Sequence, residues 1–219
     1  MEKVVHLISS GLDSPVAAYI LVKNGVEPIF LFFDANPFNT ERTKQAALKL
    51  ARKIATYAGK NLKMYICPHG DTIKKFHEIA EKRDLDYTCI FCKRIYYRVA
   101  MRIAIKEGAQ AISSGEIIGE QASQTIDNLA VIQESIGNFL IVRPVLTMDK
   151  LEVMNIGREI GTYEISTEAK DGCQAVPKWP MTHAKLENYK KIEDRLDIDE
   201  IISSVLESAE IIEITPSGE

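Results

Sequence analysis

Short apolar runs alternate with longer stretches of helical periodicity along most of this chain, and that rhythm narrows its fold more than any other feature. The runs are Val4–Ile8, Pro28–Phe33, Leu62–Cys67, Ala109–Ser113 and Phe139–Val142. Helical patterns follow Ser14, span Thr40–Ala58, Asp71–Arg83, Lys93–Glu107 and Lys150–Ile160, and several stop at a glycine: Gly25, Gly59, Gly108, Gly161. Runs of four to six apolar residues, apolar at successive positions, suit strands buried on both faces. The expectation is an α/β fold with a parallel five-stranded sheet and helices on both faces. Residues from about 165 to 182 read as irregular, and the remainder as two acidic helices. The chain therefore divides into a main domain over 1–182 and an acidic helical extension over 183–219.

The first strand runs into Ser9-Ser10-Gly11-Leu12-Asp13-Ser14 and then Pro15, which suits the first turn of a helix. In open α/β sheets, ligands gather where strands end and helix N-termini present free N–H groups. Small residues let the backbone curl around a phosphate, and hydroxyls add donors. The segment is neither a Walker loop nor GxGxxG. A plain capped turn remains the alternative.

Four cysteines sit in a chain of 219 residues. Met1-Glu2-Lys3-Val4-Val5-His6 opens without a long apolar stretch, and no run reaches eighteen apolar residues. The expectation is a cytoplasmic protein with no membrane segment, whose thiols stay reduced. Cys89 and Cys92 form a CxxC, and Cys173 lies far downstream. Zinc would require Cys67 as a fourth ligand, and a dithiol redox pair needs only the CxxC. An iron–sulfur cluster on Cys89, Cys92 and Cys173 would leave one iron open to sulfide. Cys67, at the end of an apolar run, reads as a small core hydrophobe.

Net charge is −4, but nine acids against one base fall between Glu193 and Glu219. The body before them is mildly basic, compatible with RNA without requiring it. Arg94, Arg98, Arg102 and Lys106 recur every four residues, a slanted stripe for RNA phosphates or a solvated face. Lys93 and Arg94 are its best candidates. His6, His69, His77 and His183 lack metal spacing and read as structural or surface residues. Trp179 reads as the anchor of an irregular loop, with base stacking as the alternative.

The loop Ser9–Ser14, continuing into Pro15-Val16-Ala17, resembles the pyrophosphate loop of the PP-loop ATPases, and more narrowly that of the ThiI-type tRNA 4-thiouridine synthetases. The segments 34–42, Cys92-Lys93-Arg94, 114–125, 143–150 and 161–166 are similar to the same family, so that the resemblance runs over about residues 4–182. It implies ATP-dependent thiolation of a tRNA uridine through an adenylated intermediate, with sulfur delivered at a three-cysteine site. By resemblance, Leu7, Ile8, Ser9, Ser10, Gly11, Ser14, Phe32, Phe33, Lys93, Gly115 and Gln124 bind ATP. Asp13, Lys93 and Cys173 serve catalysis, with Asp13 orienting Mg²⁺ or the reacting groups. Cys89, Cys92 and Cys173 hold the cluster, or zinc in its place, or relay sulfur as a persulfide, and Arg94 and Arg98 meet RNA. Ser10 stands where the family has Gly, a change open to any residue unless φ is positive there. The family's N-terminal RNA-binding domains and its occasional rhodanese domain are not within these residues. Capture of tRNA is then expected to fall to this domain, to a homodimer or to a separate subunit, with a sulfur donor protein or free sulfide as further partner. Thiolation at the 2-position, sulfur insertion into a small molecule, and a non-catalytic nucleotide-binding subunit are the competing readings.

Overall fold

The computed structural model describes residues 2–169 and 172–216; Lys170 and Asp171 before Cys173, and the last three residues of the acidic tail, lie outside them. The chain runs β1 (Lys3–Leu7), α1 (Asp13–Lys23), β2 (Glu27–Asp34), α2 (Glu41–Ala58), β3 (Leu62–Pro68), α3 (Gly70–Ile79) and α4 (Thr88–Glu107). It continues through β4 (Ala111–Ser113), α5 (Ile126–Glu134), β5 (Ile141–Val142), α6 (Lys150–Glu159), α7 (Tyr163–Glu168), α8 (Leu186–Glu193), α9 (Ile198–Glu207) and β6 (Glu210–Ile214). The sheet order is β5-β4-β1-β2-β3-β6, parallel except for β6, which pairs antiparallel with β3.

Side chains on a strand alternate between faces, and here each face has its own core. Leu31, Phe33, Tyr65 and Cys67 pack under α3, α4, α5, α8 and α9. Phe30, Phe32, Met64 and Ile66 pack under α1, α2 and α6. Both layers are covered, so apolar residues occupy every position through the middle of β2. Helices α2 and α4 each end on a glycine at φ +64° and +67°, Gly59 and Gly108, where a Cβ would be strained. No helix among the described residues is long and apolar enough to cross a membrane.

Three expectations need correction. The sheet has six strands, because Glu210-Ile211-Ile212-Glu213-Ile214 is a strand and not part of an acidic helix. Its glutamates sit on the outer strand, a charged edge that discourages further pairing. Residues 126–134 form a helix that the apolar pattern left unread; Thr125 caps it, its Oγ1 accepting from the Asn128 N–H at 3.2 Å. Part of the stretch read as irregular is α7. The boundary drawn at residue 182 marks a change in charge; Tyr189, Ile192, Ile201, Ile202 and Val205 share one core with the sheet.

Candidate active site

In a parallel sheet every strand ends at the same edge, and this edge gathers the candidate residues. Ser9 to Leu12 bridges β1 and α1, and no side-chain cap covers the start of α1. The loop is braced by its own hydroxyls: the Ser9 N–H donates to Ser14 Oγ at 2.9 Å, and the Gly11 N–H to Ser9 Oγ at 3.2 Å. Ser166 of α7 donates its hydroxyl to the Gly11 carbonyl at 3.2 Å. No non-glycine residue among those described has positive φ, so Ser10 is accommodated without strain.

Beneath the loop lies His6, fully buried. Its Nε2 is 2.9 Å from the Ser14 carbonyl and its Nδ1 3.1 Å from Ser113 Oγ. A carbonyl only accepts, so Nε2 carries the proton and Nδ1 accepts from the serine. Burial pushes its pKa down to about 4, against the hydrogen bond to Ser14, and the ring is neutral at pH 7. Asp13 at the loop mouth is paired with Lys150 of α6 at 2.6 Å, and Lys150 also lies 3.4 Å from Glu120.

Gly115 abuts the loop directly. A Cβ there would lie 2.5 Å from Ser14 Cα and 2.6 Å from its nitrogen, so only glycine fits. The next residue, Glu116, is 4% exposed and surrounded by donors. Lys93 Nζ and Arg143 Nε each reach it at 2.8 Å, the Tyr97 hydroxyl at 2.5 Å and the Ser114 hydroxyl at 3.0 Å. Burial by itself would raise its pKa, yet Lys93 and Arg143 hold it at about 2. Lys93 is thereby joined to the phosphate loop through Glu116 and Gly115.

The cysteines divide in two groups. Cys67 is buried in β3, and burial pushes its thiol up to about 12. Cys89 and Cys92 occupy the first turns of α4, within electrostatic reach of each other and of the exposed Cys173. Burial raises both CxxC thiols, and their neighbouring sulfurs raise them further. Lys93 works in the opposite direction on Cys89, as the hydroxyl of Tyr96, hydrogen-bonded to Cys92, does on Cys92. The Tyr96 ring is stacked on Phe33 at 3.9 Å and stands edge-on to His69 at 4.7 Å. The backbone N–H of Gln174 donates to the Phe38 carbonyl at 2.7 Å, which docks the Cys173 segment on the loop after β2. Among the described residues no three His, Cys, Asp or Glu side chains stand together as a metal-ligand set. The three thiols thus influence one another's ionisation without forming a metal-ligand set among the described residues.

Other expected residues are distributed differently from the one-dimensional reading. Phe32 and Phe33 point to opposite faces of the sheet, Phe32 with Ile8 and Phe33 with Tyr96, so their side chains do not line one surface. Leu7 packs on the Phe33 side. Gln124 is buried, and its Oε1 has no hydrogen-bond partner. Arg94 does not belong to a surface stripe. It is 1% exposed, hydrogen-bonded to Glu193 at 2.8 Å, Glu134 at 3.0 Å and the Val131 carbonyl, and Arg98 meets the same Glu193 at 2.6 Å. Arg102 pairs with Asp199 at 3.5 Å. Three of the four stripe residues, Arg94, Arg98 and Arg102, pair with the acidic tail, so the expectation that Arg94 and Arg98 meet RNA is corrected. Trp179 is no anchor either; it is exposed. Lys150, Glu116, Tyr96, Tyr97 and Arg143 had no role assigned from sequence. Lys150 and Arg143 fall in stretches similar to the family, but Lys150 reaches Asp13 across 137 positions, a pairing no local pattern encodes.

Comparison with known proteins follows the same lines. The family model described as "Thiamine biosynthesis protein (ThiI)" matches residues 1–198. A probable tRNA sulfurtransferase of Methanosarcina mazei is 37% identical over 215 residues, 97% of this chain and 52% of that protein. One from Halothermothrix orenii is 35% identical over 212 residues, 95% of this chain and 52% of the relative. The crystal structure of a 4-thiouridine synthetase–RNA complex with bound ATP superposes with a TM-score of 0.90 at 30% identity, covering 97% of this chain and 55% of that one. The NMN synthetase of Francisella tularensis shares the fold alone, with a TM-score of 0.59 at 18% identity over 94% of this chain and 81% of its own. The chain spans about half the length of the curated relatives it matches. Residues 1–198, which the family model matches, include the Ser9–Ser14 loop, Glu116 and the three thiols, and the chain belongs to the ThiI family.

Proposed function

We propose that this chain carries the ATP- and sulfur-handling part of a tRNA 4-thiouridine synthetase. The observation that carries the reading is a continuous line of contact, Cys92 to Lys93 to Glu116 to Gly115 to Ser14, joining the thiols to the phosphate loop. A carbonyl oxygen is a poor leaving group, and adenylation cures that. The uridine O4 attacks the α-phosphorus of ATP and displaces pyrophosphate, which the Ser9–Ser14 loop and the start of α1 retain. Lys93 and Lys150 supply positive charge where phosphate charge builds. Asp13 is the carboxylate at the loop mouth, and one carboxylate plus phosphate oxygens suits Mg²⁺. A sulfide equivalent then attacks C4, the C4–O4 bond breaks, and AMP leaves.

Sulfur is proposed to arrive at Cys173, the exposed thiol, as the outer sulfur of a donor protein's persulfide, the donor thiolate leaving. That sulfur attacks C4, and a Cys89 or Cys92 thiolate then cleaves the S–S bond, releasing 4-thiouridine and leaving a cysteine disulfide for a thiol reductant to restore. Free sulfide would attack C4 directly, without bonding to Cys173. An iron–sulfur cluster or zinc would be held by Cys89, Cys92 and Cys173, and a cluster with three cysteine ligands would offer free sulfide an open iron. The test supplies ATP, unmodified tRNA transcript and a persulfide donor to the full chain under anaerobic, single-turnover conditions. Pyrophosphate release and 4-thiouridine by nucleoside mass spectrometry are expected. Asp13→Ala should lower both about a hundredfold or more. Cys173→Ser should abolish thiolation while sparing pyrophosphate release, and Cys67→Ala should change neither. Absence of pyrophosphate release with every sulfur source overturns the proposal.

A further inference from the structure

The chain has a single tryptophan, and the fold leaves it uncovered. Trp179 is 72% exposed, although an indole gains more from burial than almost any side chain. The backbone around it is fixed. Met181 N–H donates to the Asp86 carbonyl at 2.9 Å, and Asn128 Nδ2 donates to the Met181 carbonyl at 2.8 Å. Thr125 Oγ1 donates to the Thr182 carbonyl at 2.6 Å, and upstream Gln174 is tied to Phe38. The strap from 174 to 182 therefore connects the loop after β2, the turn before the CxxC, and the start of α5. One end is beside Cys173 and the other beside Gln124. Val176 (50% exposed) and Ile126 (69% exposed) leave more apolar surface along it. Lys178 holds its ammonium over the indole, 5.6 Å from the ring centroid.

An apolar protein surface would have to desolvate that ammonium without pairing it. A nucleotide meets both groups: its base has a π-face for the indole and its phosphate a charge for the lysine. Unpaired bases stacked on aromatic side chains are how proteins hold irregular RNA. We propose that Trp179 is a stacking platform for a nucleobase of the RNA substrate, with Lys178 receiving an adjacent phosphate. The inference rests on the thiolating reading above and names the surface that grips the RNA beside the reacting uridine.

The only indole in the chain makes its emission specific to this position. The full chain is titrated with unmodified tRNA transcript while that emission is followed, and RNA binding is read separately by anisotropy of the end-labelled transcript. Quenching in step with anisotropy is expected. Trp179→Ala should weaken binding about 5- to 150-fold, the range for one stacked base, and Trp179→Phe should recover most of the loss. Lys178→Ala should reduce the slope of log affinity against log salt by about one. RNA binding with unchanged emission and undiminished affinity in Trp179→Ala overturns the platform and leaves the proposed function standing. Emission that changes with protein concentration alone, and not with RNA, assigns the surface to a second copy of the chain and also overturns it. No RNA binding at all removes both.

Discussion

Glu116 offers the sharpest test of how this site is built. Its carboxylate sits between Lys93 and Arg143, both at 2.8 Å, with Tyr97 and Ser114 completing the shell. Replacing Glu116 by Gln keeps the shape and removes the charge that two buried cationic groups face. A pKa held at about 2 against an ordinary 4.5 corresponds to about 2.5 units, or on the order of 3 kcal/mol of charge-dependent stability. That agrees with the roughly 3–5 kcal/mol lost when one partner of a buried pair is removed. The pH dependence has a definite sign. Because the folded pKa is depressed, the contribution is fully present above pH 4.5 and is lost as pH falls through 2. Urea melts of the wild type and Glu116→Gln, run from pH 7 downward, should differ by about 3 kcal/mol near neutrality. The gap should narrow below pH 4.5, since His6 and His69 titrate in both proteins and cancel. A difference under about 1 kcal/mol at pH 7, or one indifferent to acid, would refute the hub.

Other substitutions separate packing from chemistry. His69 is fully buried with neither ring nitrogen partnered, and burial pushes its pKa from 6.5 to about 3. Between those values the unfolded chain takes a proton that the fold excludes, so stability should fall as pH drops from 6.5 toward 3. His69→Phe should remove that slope and raise stability by about 1–3 kcal/mol, read in melts at several pH values. Arg94→Met should lower stability by about 3 kcal/mol in urea melts while leaving the salt slope of RNA binding unchanged, because its partners are Glu193 and Glu134. A reduced slope would restore it to an RNA surface. Gly115→Ala should abolish pyrophosphate release, since its Cβ would displace the backbone of Ser14; activity near that of the wild type would contradict the contact.

The readable parts of this protein were local ones. A strand buried on both faces shows itself as an unbroken apolar run, and a helix stop as a glycine, because single residues carry those constraints. The loop between β1 and α1 was legible for the same reason: six consecutive residues, Ser9 to Ser14, form it. Strand β6 was not, because Glu-Ile-Ile-Glu-Ile lacks the alternation of a half-buried strand, follows an amphipathic helix and becomes a strand only beside β3. The charge pattern was visible but its meaning was inverted. Sequence shows a basic stripe and an acidic tail without saying that they face each other, and pairing between Arg94 and Glu193 spans 99 positions.

From sequence alone follow the layered α/β architecture, the small-residue loop between β1 and α1, and the reading of Cys67 as a core thiol. Tertiary structure decided that Lys93 is tied to Glu116, that Lys150 meets Asp13, and that Trp179 faces outward. The reason is physical: periodicity and turn chemistry are properties of neighbours in the chain. Desolvation and ion pairing are set by whatever the completed fold brings alongside, however distant in sequence.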